Sequence, residues 1–107
     1  MELVLILTTL GGDADASALA RILVEDRLAA CVNVLPAMVS IYRWKGSIEQ
    51  DREQQLLIKT TRAQVDALAA RLRELHPYDL PEFIVLDAEA SDAYASWVEG
   101  SVGEGNI

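Results

Sequence analysis

The chain has 107 residues, with 17 acidic and 9 basic side chains and a formal net charge of −8. A chain of this length forms one domain, residues 1–107, and buries only about two thirds of the surface that its unfolded form exposes, so assembly into an oligomer would add useful burial. The acidic balance opposes nucleic-acid binding, because contacts to phosphates require a basic face. It suits cations or basic partners instead.

Cysteine content and hydrophobicity indicate the compartment. The single cysteine, Cys31, cannot form an intramolecular disulfide, and its apolar surroundings in the sequence favour a buried structural thiol. The apolar run at residues 3–7 has no basic residue before it and is much shorter than the roughly 20 residues of a membrane-spanning helix. We therefore expect a cytoplasmic protein without a membrane segment.

Apolar periodicity predicts seven elements along the chain. In order, they are a strand at residues 3–9, a helix at 13–28, an extended segment at 30–44 interrupted near Pro36, a return strand at 47–60, a helix at 65–75, a strand at 83–86 and a helix capped by Ser91 or Asp92. The first six follow the β-α-β-β-α-β order of the ferredoxin-like fold, an α+β architecture with one antiparallel sheet backed by two helices. The last is an extra C-terminal helix.

Local signals add detail to the helix ends. Thr61 and Gln64 match a capping box, in which the two side chains satisfy free backbone donors at a helix start. Pro77 is expected to end that helix at His76. In the last helix we expect Tyr94, Trp97 and Val98 to face inward. Gly103 and Gly105 predict a frayed tail.

The return strand is long for a domain of this size. Its 14 residues would reach roughly 45 Å, whereas a compact chain of this length is roughly 34 Å across. The hairpin must therefore overhang or, alternatively, bend back over its own sheet. Its tip carries apolar side chains that a lone domain would leave in water, namely Ile41, Tyr42, Trp44 and Ile48. We predict that these four residues dock on another copy of the chain.

Catalysis has little support in the sequence. Nucleophilic catalysis requires a serine or cysteine with a histidine in reach, and His76 is the single histidine. The chain contains neither a Gly-x-Gly-x-x-Gly motif nor a Walker loop. We expect a protein that is not an enzyme and uses no organic cofactor.

A metal site is better supported, at residues 76–82. Two prolines fix a loop that presents an imidazole, a phenol and carboxylates, and rigid loops with polar side chains often form sites. The candidate ligands are His76, Asp79, Glu82 and Glu89. The alternative is a helix stop followed by a strand entry, with His76 at the negative end of the helix dipole.

A second acidic group lies on the hairpin. Glu49, Asp51 and Glu53 alternate with period two, so their carboxylates point to one face of the strand. They could form a cation site. The alternative is a solvated face with salt bridges to Arg43, Lys45 and Arg52.

Several segments together resemble a known family. The matching segments are residues 27–33, 40–46, 58–61 and 76–82, with Tyr94 and Trp97. They resemble the CutA divalent-cation tolerance proteins. The resemblance implies a homotrimer assembled through the long hairpins, similar to the PII signalling proteins, and a role in tolerance of copper and other divalent cations.

The resemblance also implies ligands. His76 and Glu82 match family positions associated with metal binding, whereas the cysteine that some members have at the end of the first strand is replaced by Thr8 or Thr9. Without that soft thiolate, the expected ion is copper(II) or zinc, bound at clefts between subunits. The alternative is a PII-like signalling or scaffold module that binds a small anion, a nucleotide or a partner protein.

Overall fold

The computed structural model describes residues 1–103, in which the chain folds into one antiparallel sheet and three helices. The elements are β1 (Glu2–Gly11), α1 (Ala16–Glu25), β2 (Cys31–Val34), β3 (Met38–Trp44), β4 (Ser47–Thr60), α2 (Val65–Leu75), β5 (Ile84–Glu89) and α3 (Asp92–Ser101). A 3₁₀ turn, Arg62–Gln64, precedes α2. The expectation for Gly105 falls outside the described residues. Across residues 1–103, every helix is too short or too polar to cross a membrane.

The sheet is organised around β4. Its strand order is β2-β4-β1-β5, and β3 also pairs with β4. The predicted extended segment therefore forms two strands on either side of Pro36, and both pair with β4 in antiparallel register. Because β1 reaches only as far as the pair Gly11 and Glu53, residues 47–52 of β4 pair with β3 alone. The predicted element order is confirmed.

The hairpin of β3 and β4 extends beyond the rest of the sheet. Lys45 and Gly46 turn the chain with positive φ angles of 49° and 83°, the pattern of a tight hairpin turn. Ile41 is 68% exposed and Ile48 is 63% exposed. The predicted overhang is confirmed, and the alternative of a hairpin bent over its own sheet is wrong.

The core lies between the sheet and the helices α1 and α2. Alternate residues of β1 and β4 point toward these helices, as the period of a strand requires. The largest buried side chains of this layer are Ile6, Leu10, Leu19, Leu23, Leu56, Ile58, Leu68 and Leu72. Each fully buried aliphatic side chain contributes about 1.5–3 kcal/mol, so this layer stabilises the domain and fixes the position of β4.

The opposite face of the sheet is only partly covered. Val98 of α3 packs against Leu3 and Ala30, which confirms that Val98 faces inward. Trp97 is 49% exposed and Tyr94 is 37% exposed, so their predicted inward orientation is wrong in the single chain. The physical reason is that α3 contacts the sheet through the positions of Ala95 and Val98, which leaves both aromatic rings beside the contact.

The start of α2 differs from the predicted capping box. The Thr61 side chain makes no capping hydrogen bond, and Gln64 makes none at the first helical turn. Instead, the backbone N–H of Gln64 donates to the Thr61 carbonyl at 3.0 Å within the 3₁₀ turn. The tighter turn satisfies this donor through the backbone, so the side chains are not required.

The end of the described chain is attached to the loop after α1. The Gly103 amide donates to the Arg27 carbonyl at 3.0 Å, and the Arg27 guanidinium donates to the Gly103 and Gly100 carbonyls. The predicted fraying is therefore wrong at Gly103, because an arginine from a distant part of the chain provides its partners.

Helix capping provides a test of this structure. The Asp15 carboxylate accepts a hydrogen bond from the Ala18 amide at 3.0 Å at the start of α1. We expect Asp15→Ala to lower the free energy of unfolding by about 1 kcal/mol, and Thr61→Ala to change it by less than about 0.5 kcal/mol. Urea unfolding of both variants measures the difference. An equal loss in both would contradict the assignment of the caps.

Candidate functional site

His76 anchors the segment that follows α2. Pro77 holds the His76 backbone in an extended conformation, which ends the helix at Leu75 as predicted. The His76 residue is only 8% exposed. Its Nε2 lies 2.6 Å from the Thr9 carbonyl oxygen, and its Nδ1 accepts a hydrogen bond from the Tyr78 amide at 3.1 Å. The neutral tautomer with its proton on Nε2 satisfies both contacts.

These contacts define what the imidazole can do. A metal ion takes up a nitrogen lone pair, but the Nδ1 lone pair accepts from Tyr78 and Nε2 faces a carbonyl acceptor. Ligation by His76 therefore requires the release of one of these two bonds. The ligand role stays a prediction, and in this conformation the ring connects α2 to the end of β1.

A cleft of about 580 Å³ lies beside this segment. It is bounded by residues 78–84, by Thr9 at the end of β1 and by the hairpin of β3 and β4. Its ionisable and aromatic lining residues are Tyr42, Trp44, Glu53, Tyr78, Asp79, Glu82 and Phe83. The volume lies within the range of small-molecule sites. The cleft combines carboxylates with aromatic rings.

Glu53 and Tyr78 form the polar contact at the base of the cleft. The Tyr78 hydroxyl donates to Glu53 Oε2 at 2.9 Å, and the Glu53 residue is only 9% exposed. Burial, together with the hydrogen bond to Glu53 and its charge, raises the pKa of Tyr78 to about 12. The phenol therefore stays protonated and acts as a donor to the carboxylate.

Gln55 holds the other end of the segment. Its Nε2 donates to Glu82 Oε2 at 2.9 Å and to the Thr8 carbonyl at 2.7 Å. Glu53 and Gln55 are two residues apart in β4, so they share one face of the strand. That face thus positions both Tyr78 and Glu82.

Two members of the acidic group on the hairpin, Asp51 and Glu53, accept hydrogen bonds from phenols. The Tyr42 hydroxyl donates to Asp51, and this hydrogen bond is the main reason that the pKa of Tyr42 is raised to about 12. Within residues 1–103, Glu49, Asp51 and Glu53 form no salt bridge. The expected bridges are absent because the strand register places Arg43 and Arg52 on the opposite face. Lys45 lies 5.8 Å from the centroid of the Trp44 ring instead.

The structure brings together only some of the predicted ligands. Asp79 and Glu82 line the cleft, and His76 lies behind it. Glu89 is at the far end of β5, where its carboxylate is 3.9 Å from the N-terminal amine. Cys31 is half-buried on β2 and does not line the cleft, so the expected burial of this residue is only partial. The described residues contain no cluster of three or more His, Cys, Asp or Glu side chains that could hold a metal ion.

Sequence reasoning did not assign the positioning roles of Glu53 and Gln55. The sequence did contain a signal for Glu53, namely the alternation of carboxylates at Glu49, Asp51 and Glu53 along the return strand. Finding the cleft also required the register that places Tyr42 opposite Glu49 and Glu53 opposite Gly11. That register depends on how far β4 runs beyond β1, which local sequence does not specify.

Comparison with known proteins identifies the family. The family described as CutA1 divalent ion tolerance protein matches residues 4–101. The chain belongs to this family. A divalent-cation tolerance protein CutA from Thermus thermophilus is 42% identical over 99 residues, which cover 92% of this chain and 96% of the relative. One from Pectobacterium atrosepticum is 44% identical over 102 residues, covering 94% and 93% of the two chains.

Solved CutA structures have the same fold. The Thermus thermophilus protein superposes with a TM-score of 0.89 at 43% identity, covering 96% of this chain and all (100%) of the other. The CutA1 structure from Oryza sativa gives a TM-score of 0.91 at 32% identity, covering 98% and 97%. The resemblance inferred from the motifs is confirmed, as is the α+β architecture.

The Tyr78 phenol predicts a loss of stability in alkali. The unfolded phenol loses its proton near pH 10, whereas the native pKa is about 12. Below about pH 10 the stabilisation is fully present, and it is lost as the pH rises from about 10 to about 12. We expect Tyr78→Phe to make the free energy of unfolding fall less steeply over this interval. Urea unfolding at several pH values measures the slopes, and equal slopes would contradict the prediction.

Proposed function

We propose that this CutA family member is a cytoplasmic homotrimer that binds divalent cations, copper(II) or zinc, in the cleft and thereby contributes to tolerance of copper and other divalent ions. It acts by binding and not by catalysis. The observation that carries the proposal is the charge of the cleft. Among the described lining residues, Glu53, Asp79 and Glu82 are acidic and none is basic.

The position of these carboxylates strengthens their preference for cations. Within residues 1–103, none of the three forms a salt bridge. Glu53 is also largely removed from water. A carboxylate that is partly desolvated and lacks a counter-ion favours an incoming cation, and the net charge of −8 raises the local cation concentration.

Glu82 and His76 are the proposed ligands. Glu82 lines the cleft and offers a carboxylate, while His76 offers Nδ1 once the Tyr78 amide is released. Copper(II) and zinc both accept imidazole and carboxylate ligands. Binding through His76 would thus be coupled to movement of the segment that carries Tyr78.

The charge of the cleft disfavours the PII-like alternative of a bound anion or nucleotide. Such ligands require donors or basic side chains, whereas the ionisable groups among the described lining residues are carboxylates and phenols. A role as a scaffold for a partner protein has no specific observation in its favour.

The apolar surface supports a trimer. Ile41 and Ile48 lie on one face of the hairpin, whereas Tyr42 and Trp44 lie on the other face and line the cleft. Ile41 and Ile48 are more than 60% exposed, and the uncovered face of the sheet adds the half-exposed Leu86. A single chain would leave this apolar area in water. We propose that all four hairpin residues lie at or beside the subunit interface.

Metal binding can be tested by calorimetry and by electron paramagnetic resonance. We expect copper(II) to bind the wild type with a nitrogen signature in its spectrum, and Glu82→Gln to weaken binding by at least about tenfold. His76→Gln should abolish the nitrogen signature. Glu25→Gln changes an exposed carboxylate on α1 and serves as the matched control. Equal affinity in all four proteins, or an oxygen-only spectrum in the wild type, would overturn the proposed ligands.

Assembly can be tested by light scattering coupled to size exclusion. We expect a particle of three times the chain mass of 11.7 kDa. Ile41→Asp should shift it to a smaller species, because a buried charge without a partner is costly. Ser17→Asp places the same charge on an exposed position of α1 and should leave the mass unchanged. A wild-type monomer at micromolar concentration would contradict the trimer.

A further inference from the structure

The volume of the cleft exceeds what a metal ion requires. About 580 Å³ is the size of a site for a small organic molecule. Of the two groups proposed to bind a metal, Glu82 lines the cleft and His76 lies behind it. The rest of the cleft is bounded by aromatic and apolar side chains together with Glu53, which adds to the charge of the cleft but is not one of the proposed metal ligands.

Four aromatic side chains line this cleft. Tyr42 and Trp44 come from β3, and Tyr78 and Phe83 come from the segment after α2. The faces of such rings carry negative potential and attract cations, especially organic ammonium groups. Both phenols use their hydroxyl groups as donors to carboxylates, Tyr42 to Asp51 and Tyr78 to Glu53. These bonds hold the two phenol rings in place. The Tyr78 ring also packs beside the His76 imidazole, with 4.8 Å between the ring centroids, and Lys45 Nζ lies 5.8 Å from the centroid of the Trp44 ring. An organic ammonium would therefore take the place of the Lys45 ammonium at Trp44.

Glu53 provides the charge at the base of this aromatic region. It is 9% exposed, accepts one hydrogen bond from Tyr78 and has no basic partner among the described residues. A buried carboxylate without a counter-ion is unfavourable unless a cation approaches it. A metal ion would leave the surrounding apolar walls, which include Leu80 and Ile84, without contacts. An organic cation contacts both the carboxylate and the walls.

We infer that this cleft binds a small organic cation with an ammonium group, placed between Tyr42, Trp44 and Tyr78 and above the Glu53 carboxylate. The inference goes beyond the proposed metal function and does not depend on it, because Glu53 and the aromatic rings are not among the proposed metal ligands. The two ligands share one cleft, so they should compete.

Choline is a suitable probe, because its neutral isostere, 3,3-dimethylbutan-1-ol, has the same shape without the charge. We expect calorimetry at low ionic strength, in metal-free buffer with a chelator, to show choline binding at least about tenfold tighter than the isostere. Equal binding of the two compounds would show a merely apolar pocket and overturn the inference. No binding of choline by the wild type would also overturn it, including the case in which a neighbouring copy fills the cleft.

Two tryptophans allow a matched pair of variants. The chain contains only Trp44, which lines the cleft, and Trp97, which lies on α3, and both are about half exposed. In Trp97→Leu, the remaining Trp44 should change its fluorescence on addition of choline, with unchanged affinity. In Trp44→Leu, choline binding should weaken by at least about tenfold. Equal losses in the two variants would contradict the assignment to the cleft.

Glu53→Gln tests the charge while keeping an oxygen that can accept from Tyr78. We expect it to weaken choline binding by at least about tenfold and to keep the thermal transition and the particle size. Glu25→Gln is again the control. Copper(II) titration of the same proteins distinguishes the organic-cation site from the proposed metal site. Copper binding without choline binding overturns this inference alone, and choline binding without copper binding overturns the metal site alone.

Discussion

The register between β1 and β4 is the constraint on which the rest of the structure depends. Val4 to Gly11 pair with Thr60 to Glu53, and this pairing places Leu56 and Ile58 under the helices. A shift by one residue would reverse every side chain of β4. Gln55 and Leu57 would then enter the core, and Glu53 would leave the cleft. The same pairing therefore determines both the core and the candidate site.

The end of this pairing creates the site. β4 continues past Gly11 as one strand of the hairpin, so beyond Glu53 it pairs with β3 and no longer with β1. Glu53 and Gln55 lie at this transition and hold Tyr78 and Glu82. His76 holds the same segment from the side of α2 through the Thr9 carbonyl. Three hydrogen bonds, two to β4 and one to β1, thus preorganise one wall of the cleft, which lowers the cost of binding a ligand there.

Local sequence predicted the elements well, because periodicity reports which face of each strand or helix is buried. The effects of Pro36 and Pro77 were predicted correctly for a similar reason, since proline restricts its own backbone and that of its neighbour. Contacts between distant elements could not be predicted in this way. The predicted capping box at Thr61 does not form, because a 3₁₀ turn precedes α2. The predicted fraying at Gly103 is wrong, because Gly103 is bound to Arg27. The cleft likewise depends on a pairing register between strands that are distant in the chain.

The proposed preference of the cleft for cations rests on one carboxylate more than on the net charge. Exposed charges are screened by salt over about 8 to 10 Å, so the overall charge of −8 attracts cations without selecting a place for them. Glu53 is buried, and its hydrogen bond from Tyr78 does not neutralise it. A metal ion and an organic ammonium would both be attracted by this charge, but only the proposed organic ammonium would also contact the rings of Tyr42 and Trp44. The carboxylate alone would attract any cation. The aromatic walls are therefore the feature that would favour an organic cation over a metal ion.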